Sequence, residues 1–374
     1  MTSRGDWISA LDYLNLTATI VNFRAQVEQQ QMMIDALQKS ITLKDEEIKK
    51  LKGEVSKGQK FGVETVKGKA GKLKNLFRYY TGITYIRFLA LLQFLVPGDG
   101  SFSMTYEKGR CDIRTLSAEN CLFLTLCRLR HNFGLKDIAV RFHLTLQSSG
   151  AVFNAWVEHM YLKLGQLSLW PHRDTIISNM PRGFKRDFPN SVIIIDGTEL
   201  RTQTPCALGL QSQLYSDYKS STTLKCLVGC DPNGSLTFVS ELFTGSISDK
   251  ALTEQSGFYD VLKVLLTHGY IKEGYAVMAD KAFTIEDELS ELGLELNIPP
   301  FVSSETQMTS AETLATEKIA AHRIHIERLI AKIKKFKIVA HRIPTSLFGR
   351  INQIWTVCAC MTLFQNIFVT DKHE

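Results

Sequence analysis

The sequence lacks the signatures of several common enzyme classes. It has no Gly-rich phosphate loop, no Ser/His/Asp arrangement and no haem-type cysteine motif in a suitable context. These absences argue against nucleotide hydrolysis at a P-loop and against acyl transfer. The longest largely apolar stretch, Phe88 to Val96, is far shorter than the ~20 residues that a membrane-spanning helix needs. We therefore expect no membrane span.

Paired cysteines are missing as well. The 8 cysteines are scattered through apolar segments, and neither Cys226/Cys230 nor Cys358/Cys360 has the second pair that a structural zinc site requires. Buried, reduced thiols of an intracellular protein are the simpler interpretation. The excess of Lys and Arg (44) over Asp and Glu (38) gives a net charge of +6, which suits an anionic partner without establishing one.

Four segments differ in composition along the 374 residues. We predict a coiled-coil helix over 1–55, a basic Gly/Lys linker over 56–75, a helical module over 76–170 and an α/β domain over 185–370. The linker either contacts phosphate groups or acts as a nuclear import signal, and the alternative is that it is only a solvated tether.

A seven-residue spacing of apolar side chains runs through the first segment. β-Branched residues fill most of one seam position and mainly leucines fill the other, which favours a parallel two-stranded coil. The seam consists of Tyr13, Ile20, Val27, Ile34, Ile41, Ile48 and Val55, interleaved with Leu16, Phe23, Leu37 and Leu51. We expect a homodimer; the alternative is one amphipathic helix packed on its own chain.

Three helical patterns between Leu116 and Leu164 have the spacing of a helix-turn-helix. Ser117, and Thr145 or Ser148, are candidate N-caps. In a DNA-binding version, the third helix presents its first side chains to the major groove. Those side chains are Gln147, Ser148 and Ser149. They carry no positive charge, so base reading and scaffolding both remain open.

Two apolar runs end in an aspartate. The segment "SVIIIDGTEL" predicts a strand buried on both faces that ends at Asp196, and "GYAVMADKAF" repeats the arrangement with Asp280. Between them, "TTLKCLVGC" and "LTFVSELF" predict an antiparallel hairpin, and Ser248 and Asp249 open a helix. If the first and last strands are neighbours, both carboxylates emerge at a shared edge of the sheet. The alternative role for Asp196 is to cap the following turn.

A third acid, Glu327, lies on a basic helix predicted from about Ser310 to Ile338. Such an acid can be merely a surface ion-pair partner. Beside the two aspartates, however, it completes a carboxylate set suited to two Mg²⁺ or Mn²⁺ ions. The basic side chains that we expect to hold a polyanionic strand are Arg323, Arg328, Lys332 and Lys334.

Several segments resemble, in the same order, the endonuclease domain of PIF/Harbinger-type DDE transposases and of host genes derived from them. They are "IIIDGTEL", "GSISDK", "VMADKAF", "LNIPPF", "RIHIERLIAKIKKFKI" and "INQIWTVCACMT". The similarity spans approximately Leu116 to Phe368. It implies a ribonuclease H-like mixed sheet flanked by helices, with Asp196, Asp280 and Glu327 as the catalytic triad on two metal ions. Asp249 is then an auxiliary residue or a helix cap.

The resemblance also implies a nuclear protein that hydrolyses a terminal phosphodiester of DNA and joins the freed 3′-hydroxyl to target DNA. Two departures from the family pattern bear on this. Ala282 stands where the family usually has Gly, and residues 1–25 contain no Cys or His for the zinc module that often precedes the coil. End recognition is then absent or supplied by a separate DNA-binding partner. The alternative function is a domesticated, catalytically silent transposase that binds DNA or chromatin as a dimer.

Overall fold

The computed structural model of the chain describes residues 26–49, 61–68, 75–98, 104, 106, 116–300 and 309–365. The chain forms two compact units, Met1–Lys60 and Phe61–Glu374. Within the described ranges, no helix combines the length and the apolar character that a membrane crossing requires. The described cysteines are free thiols, and all of them except Cys206 are buried, as the sequence predicts.

Helix α1 (26–49) is the described part of the first unit, and every residue in it is exposed. The exposed fractions of its seam residues Val27, Ile34, Ile41 and Ile48 are 62%, 47%, 58% and 46%. The remaining seam positions, apart from Leu37, lie outside the described residues. The helical conformation agrees with the sequence, whereas its pairing into a coiled coil stays a prediction.

Helices fill the first part of the second unit. They are α2 (Val63–Val66), α3 (Leu76–Thr81), α4 (Tyr85–Leu95), α5 (Ala118–His131), α6 (Leu135–Phe142), α7 (Leu146–Leu164), α8 (Arg173–Asn179) and α9 (Arg182–Asp187). Residues 61–68 belong to the predicted linker but are folded here. The exposed fractions of Val63 and Val66 are only 0% and 3%, and the ring of Phe61 lies 5.0 Å from that of Tyr80. These apolar side chains explain why this stretch is not a tether.

A mixed sheet with surrounding helices fills the second part. Its strands are β1 (Ser191–Arg201), β2 (Tyr215–Ser216), β3 (Ser221–Cys230), β4 (Leu236–Val239), β5 (Phe243–Thr244), β6 (Ala276–Met278) and β7 (Glu295–Asn297). The helices are α10 (Leu208–Leu214), α11 (Asp249–Gln255), α12 (Phe258–Thr267), α13 (Glu286–Ser290), α14 (Ser310–Ile333), α15 (Lys337–Ala340) and α16 (Ile351–Cys360), with 3₁₀ turns at Thr345–Arg350 and Met361–Phe364.

The strand order is β2-β3-β1-β6-β7, and β4 and β5 also pair with β3. β1 runs antiparallel to β3 and parallel to β6. The predicted hairpin is present as β3 and β4, which pair antiparallel. A mixed sheet with flanking helices is consistent with the predicted ribonuclease H-like fold.

The predicted helix-turn-helix is formed by α5, α6 and α7. Ser117 caps α5 by accepting a hydrogen bond from the Asn120 N–H, and Thr145 caps α7 by accepting one from the Ser148 N–H. α5 is the central helix, since all of its residues from Cys121 to Leu129 are buried. α7 packs against α16 and α5 packs against α15. The helical module and the sheet domain therefore form one compact unit rather than two separate domains.

Candidate active site

Asp196 lies in the middle of β1, not at its end as predicted. The antiparallel pairing with β3 continues to the pair Arg201↔Thr223, whereas the parallel pairing with β6 reaches only Ile194↔Met278. The strand continues past the aspartate because β3 still supplies hydrogen-bond partners there. Asp196 and Asp280 each stand two residues beyond the same register pair. The pairing of β1 with β6 thus brings the two carboxylates together, as the sequence predicts.

Arg323 projects from α14 onto both aspartates. Its Nη2 lies 3.5 Å from Asp196 Oδ1 and its Nη1 lies 3.4 Å from Asp280 Oδ1. The exposed fraction of the arginine side chain is 11%, against 22% for Asp196 and 45% for Asp280. The guanidinium therefore bridges the two carboxylates in a partly desolvated setting.

These residues line one cavity of about 520 Å³. Its lining comprises Asp196, Gly197, Thr198, Glu199, Tyr218, Lys219, Lys225, Asp249, Asp280, Ala282, Phe283, Arg323, Glu327 and Lys334. Asp196, Asp280 and Glu327, which are remote from one another in the sequence, thus face a common space. α14 packs across β1 and β3, which brings Glu327 to the two aspartates.

Asp249 joins the same cavity through the start of α11. The N-cap of α11 is Ser248, whose side chain accepts a hydrogen bond from the Ala251 N–H, so the helix-cap role considered for Asp249 is wrong. The Asp249 carboxylate instead forms an ion pair with Lys225 at 3.0 Å. A Cβ atom on Gly197 would lie 2.8 Å from Asp249 Oδ1. Glycine at position 197 therefore makes room for this carboxylate beside β1.

Burial and neighbouring charges shift the pKa of Asp196. Burial raises its pKa to about 6, the Arg323 guanidinium opposes that rise, and the Asp280 carboxylate reinforces it. A hydrogen bond from the Gly197 N–H lowers the pKa and the charge of Asp249 raises it. An ionised Asp196 is thus disfavoured, and a cation near its oxygens would reverse the effect.

The donors of the cavity fit a hard divalent cation in their chemistry, because they are carboxylate oxygens. Their present arrangement is not a preassembled ligand set. Within the described ranges, no group of three or more His, Cys, Asp or Glu side chains is close enough to hold an ion. Arg323 instead faces Oδ1 of both aspartates. Metal binding at these two oxygens would therefore require this side chain to move.

The four predicted basic residues divide into two groups. Arg323 and Lys334 line the cavity, and Lys334 Nζ also donates to the Glu199 carbonyl oxygen at 3.1 Å. Arg328 is exposed but is not part of the lining. Lys332 is buried, and burial lowers its pKa to about 8, with Arg87 and Lys335 adding to the effect. Its predicted contact with DNA is contradicted by this burial.

The predicted base-reading residues of α7 also differ in exposure. Gln147 is exposed, whereas the exposed fractions of Ser148 and Ser149 are 1% and 0%. The Thr145 hydroxyl donates to Ser148 Oγ at 2.9 Å, and the Ser149 hydroxyl donates to the Thr145 carbonyl oxygen at 2.9 Å. The serines therefore stabilise the start of the helix and do not point to a groove. Gln147 is the one of these three residues that can contact a base.

Other lining residues were not anticipated. The sequence does point to Lys225. It is a single lysine inside the apolar strand "TTLKCLVGC", and a buried lysine needs an acidic partner. Tyr218 and Lys219 lie in the turn between β2 and β3, where exposed polar residues are ordinary. The sequence gives no signal that this turn approaches the acids.

Ala282 does not strain the loop that follows β6. The φ angle of Ala282 is not positive, so its backbone conformation does not require glycine. The Phe283 N–H closes the turn by donating to the Asp280 carbonyl oxygen at 3.0 Å. The departure from the family's glycine is therefore compatible with the position of Asp280.

Comparisons with known proteins agree with this architecture. Residues 195–362 match the family described as DDE superfamily endonuclease, and residues 114–166 match the helix-turn-helix of DDE superfamily endonuclease. No curated protein and no solved structure matches the chain. The two matches support a DDE superfamily endonuclease domain preceded by its helix-turn-helix module.

Proposed function

We propose that this chain is a divalent-metal-dependent DNA endonuclease of the PIF/Harbinger transposase type. The observation that carries the proposal is the convergence of Asp196, Asp280 and Glu327 on one cavity. Asp196 lies on β1, Asp280 on the loop after β6 and Glu327 on α14. The three acids lie beside cations suited to phosphate. The two family matches agree with a transposase-like nuclease.

In this proposal the three acids hold the divalent ions, Mg²⁺ or Mn²⁺. The ions, when bound, stabilise the attacking and leaving oxygens of an in-line displacement. Arg323 and Lys334 bind phosphate oxygens and orient the strand. Lys225 keeps Asp249 in place as an auxiliary carboxylate. Water attacks the phosphorus and displaces the 3′-oxygen, so the cut leaves a 3′-hydroxyl and a 5′-phosphate. The freed 3′-hydroxyl then attacks a phosphodiester of target DNA, bonds to its phosphorus and displaces the 3′-oxygen of the target strand, which leaves as a 3′-hydroxyl.

We further propose a nuclear homodimer that pairs through α1. The exposed seam of α1, including Val27, Ile34, Ile41 and Ile48, supports a second copy as its occupant, because the heptad spacing is that of a self-complementary coil. A separate DNA-binding protein would supply end recognition where α7 does not.

A second candidate function is a catalytically silent protein that binds DNA or chromatin as a dimer. The bridging of Asp196 and Asp280 by Arg323 favours it, because a permanently bridged pair would be unable to bind metal. The two candidates differ in cleavage and not in DNA affinity.

End-labelled DNA incubated with the full chain and Mn²⁺ separates the two. We expect cleavage that falls by at least about 10²-fold in Asp196→Ala and in Glu327→Gln, the order of loss seen when a single transition-state contact is removed. Glu317→Gln, an exposed acid on the same helix, is the matched control and should cleave like the parent. Binding without cleavage in the parent protein would refute the nuclease and support the silent dimer.

A further inference from the structure

Arg323 contacts both aspartates, and its contacts are of a kind that can be released. The two N···O separations of 3.5 and 3.4 Å are longer than the ~2.7–2.9 Å of strong charge-assisted hydrogen bonds. In addition, the buried Arg323 Nε has no hydrogen-bond partner among the described residues. The guanidinium therefore neutralises the pair without satisfying all of its own donors.

The other cations of the cavity are engaged elsewhere. Lys225 Nζ binds Asp249 at 3.0 Å and the Ile247 carbonyl oxygen at 3.1 Å, and Lys334 Nζ binds the Glu199 carbonyl oxygen. Lys219 Nζ lies 4.2 Å from the centre of the Tyr218 ring. Among the described residues, Arg323 alone forms ion pairs with both Asp196 and Asp280.

A guanidinium and a divalent ion compete for the same oxygens. Mg²⁺ needs carboxylate oxygens at about 2.0–2.1 Å in near-octahedral geometry, and Arg323 faces Oδ1 of both aspartates. A DNA phosphate offers the same guanidinium a planar, bidentate match with shorter bonds. The phosphate can therefore draw Arg323 away from the carboxylates.

We propose that Arg323 serves as an internal counter-cation that holds Asp196 and Asp280 together in the absence of DNA and moves onto a phosphate when DNA binds. This inference rests on the proposed nuclease function and adds a coupling to it. Metal binding and DNA binding then strengthen each other by the same factor. In this scheme Arg323 positions the two carboxylates before DNA binds and contacts the substrate phosphate afterwards.

The test measures Mn²⁺ affinity by electron paramagnetic resonance of the free ion, with the full chain, first without DNA. We expect Arg323→Gln to bind Mn²⁺ at least tenfold more tightly than the parent, because the carboxylates lose their competitor. Arg323→Lys retains the positive charge that competes with Mn²⁺ for the carboxylates and should stay within about threefold of the parent. Lys318→Gln removes an exposed positive charge from the same helix and should leave the affinity unchanged.

The second arm adds a saturating short DNA duplex and subtracts the Mn²⁺ bound by the duplex alone. DNA should tighten Mn²⁺ binding at least tenfold in the parent and less than threefold in Arg323→Gln. Circular dichroism confirms that each variant is folded. A folded Arg323→Gln that binds Mn²⁺ no more tightly than the parent, or that shows the full DNA effect, overturns the proposal.

Asp196→Asn separates this failure from failure of the nuclease proposal. If the parent binds Mn²⁺ and Asp196→Asn does not, the result supports a metal site at Asp196. The role of Arg323 is then decided by the Mn²⁺ affinities of the parent and Arg323→Gln. If neither protein binds Mn²⁺, with or without DNA, both proposals fall.

Discussion

Asp196→Asn should stabilise the metal-free protein at neutral pH, although it removes a residue of the candidate active site. The pKa of Asp196 is raised from 3.8 to about 6. A rise of about 2 pKa units at ~1.4 kcal/mol each corresponds to about 3 kcal/mol of lost stability when the group is ionised. The side chain is 22% exposed, so solvent screening makes this an upper limit, and we expect a gain of about 1–3 kcal/mol.

The direction of the pH dependence follows from the raised pKa. Between about pH 4 and pH 6 the folded state binds the proton more tightly than the unfolded state, so the stability of the parent falls as the pH rises through this window. Above about pH 6 the penalty is complete, and below about pH 4 it vanishes because both states are protonated. The difference between Asp196→Asn and the parent should therefore be near zero at pH 4 and largest above pH 6.

Urea unfolding followed by circular dichroism in EDTA measures this difference. Asp231→Asn is a matched control, because burial also raises the pKa of Asp231 to about 6, against opposing backbone hydrogen bonds. The gain in unfolding free energy of Asp231→Asn over the parent should depend on pH in the same way as that of Asp196→Asn. In the absence of EDTA, added Mn²⁺ should stabilise the parent and Asp231→Asn but not Asp196→Asn. The reasoning is refuted if Asp196→Asn is no more stable than the parent at pH 7.5, or if the difference is the same at pH 4.

Three further predictions concern the coil, the strand glycine and the helix-turn-helix. Deletion of residues 13–55 should convert dimers into monomers in light scattering, and an unchanged dimer would contradict the coiled coil. Gly197→Ala should lower DNA cleavage at least tenfold by displacing Asp249, whose Oδ1 would lie 2.8 Å from the new Cβ. Gly349→Ala should cleave like the parent, because its Cβ would meet no described side chain within 4 Å outside the adjoining residues. Gln147→Ala should weaken DNA binding in a fluorescence anisotropy titration. Ser149→Ala should lower the free energy of unfolding in urea by about 1 kcal/mol, because a hydrogen bond is lost, and should leave the DNA affinity of the folded protein unchanged.

Local signals predict most of the fold, because they depend on neighbours in sequence. Ser117 and Thr145 cap their helices as expected, and the turn at residues 231–234 joins an antiparallel pair. The apolar runs before Asp196 and Asp280 give adjacent parallel strands. The length of β1 was not predictable in this way, since it is set by pairing with β3, whose register is a tertiary property.

Side-chain roles on helices depend on the face that is buried. The basic surroundings of Lys332 predict a contact with DNA, yet Lys332 lies three residues after the buried Leu329 and shares its face. This spacing is visible in the sequence, and here it predicts the burial of Lys332 better than the charge of its neighbours predicts a contact with DNA. The positions of Ser148 and Ser149 in the motif predict base contacts, whereas their hydroxyls form hydrogen bonds with Thr145 at the start of the helix. Lys332 therefore packs on the buried face of α14, and the two serines form local hydrogen bonds, so none of the three side chains is available to DNA.

The charges of the cavity explain how carboxylates can converge before any metal binds. Its acids are Asp196, Glu199, Asp249, Asp280 and Glu327, and its cations are Lys219, Lys225, Arg323 and Lys334. Like charges at this proximity would repel one another, so the fold neutralises them with its own side chains. Lys225 is held at Asp249 by a carbonyl contact as well as the ion pair, whereas the contacts of Arg323 are longer. The difference between a nuclease and a silent DNA-binding protein therefore depends on one equilibrium, namely whether Arg323 leaves the aspartates when a phosphate is available.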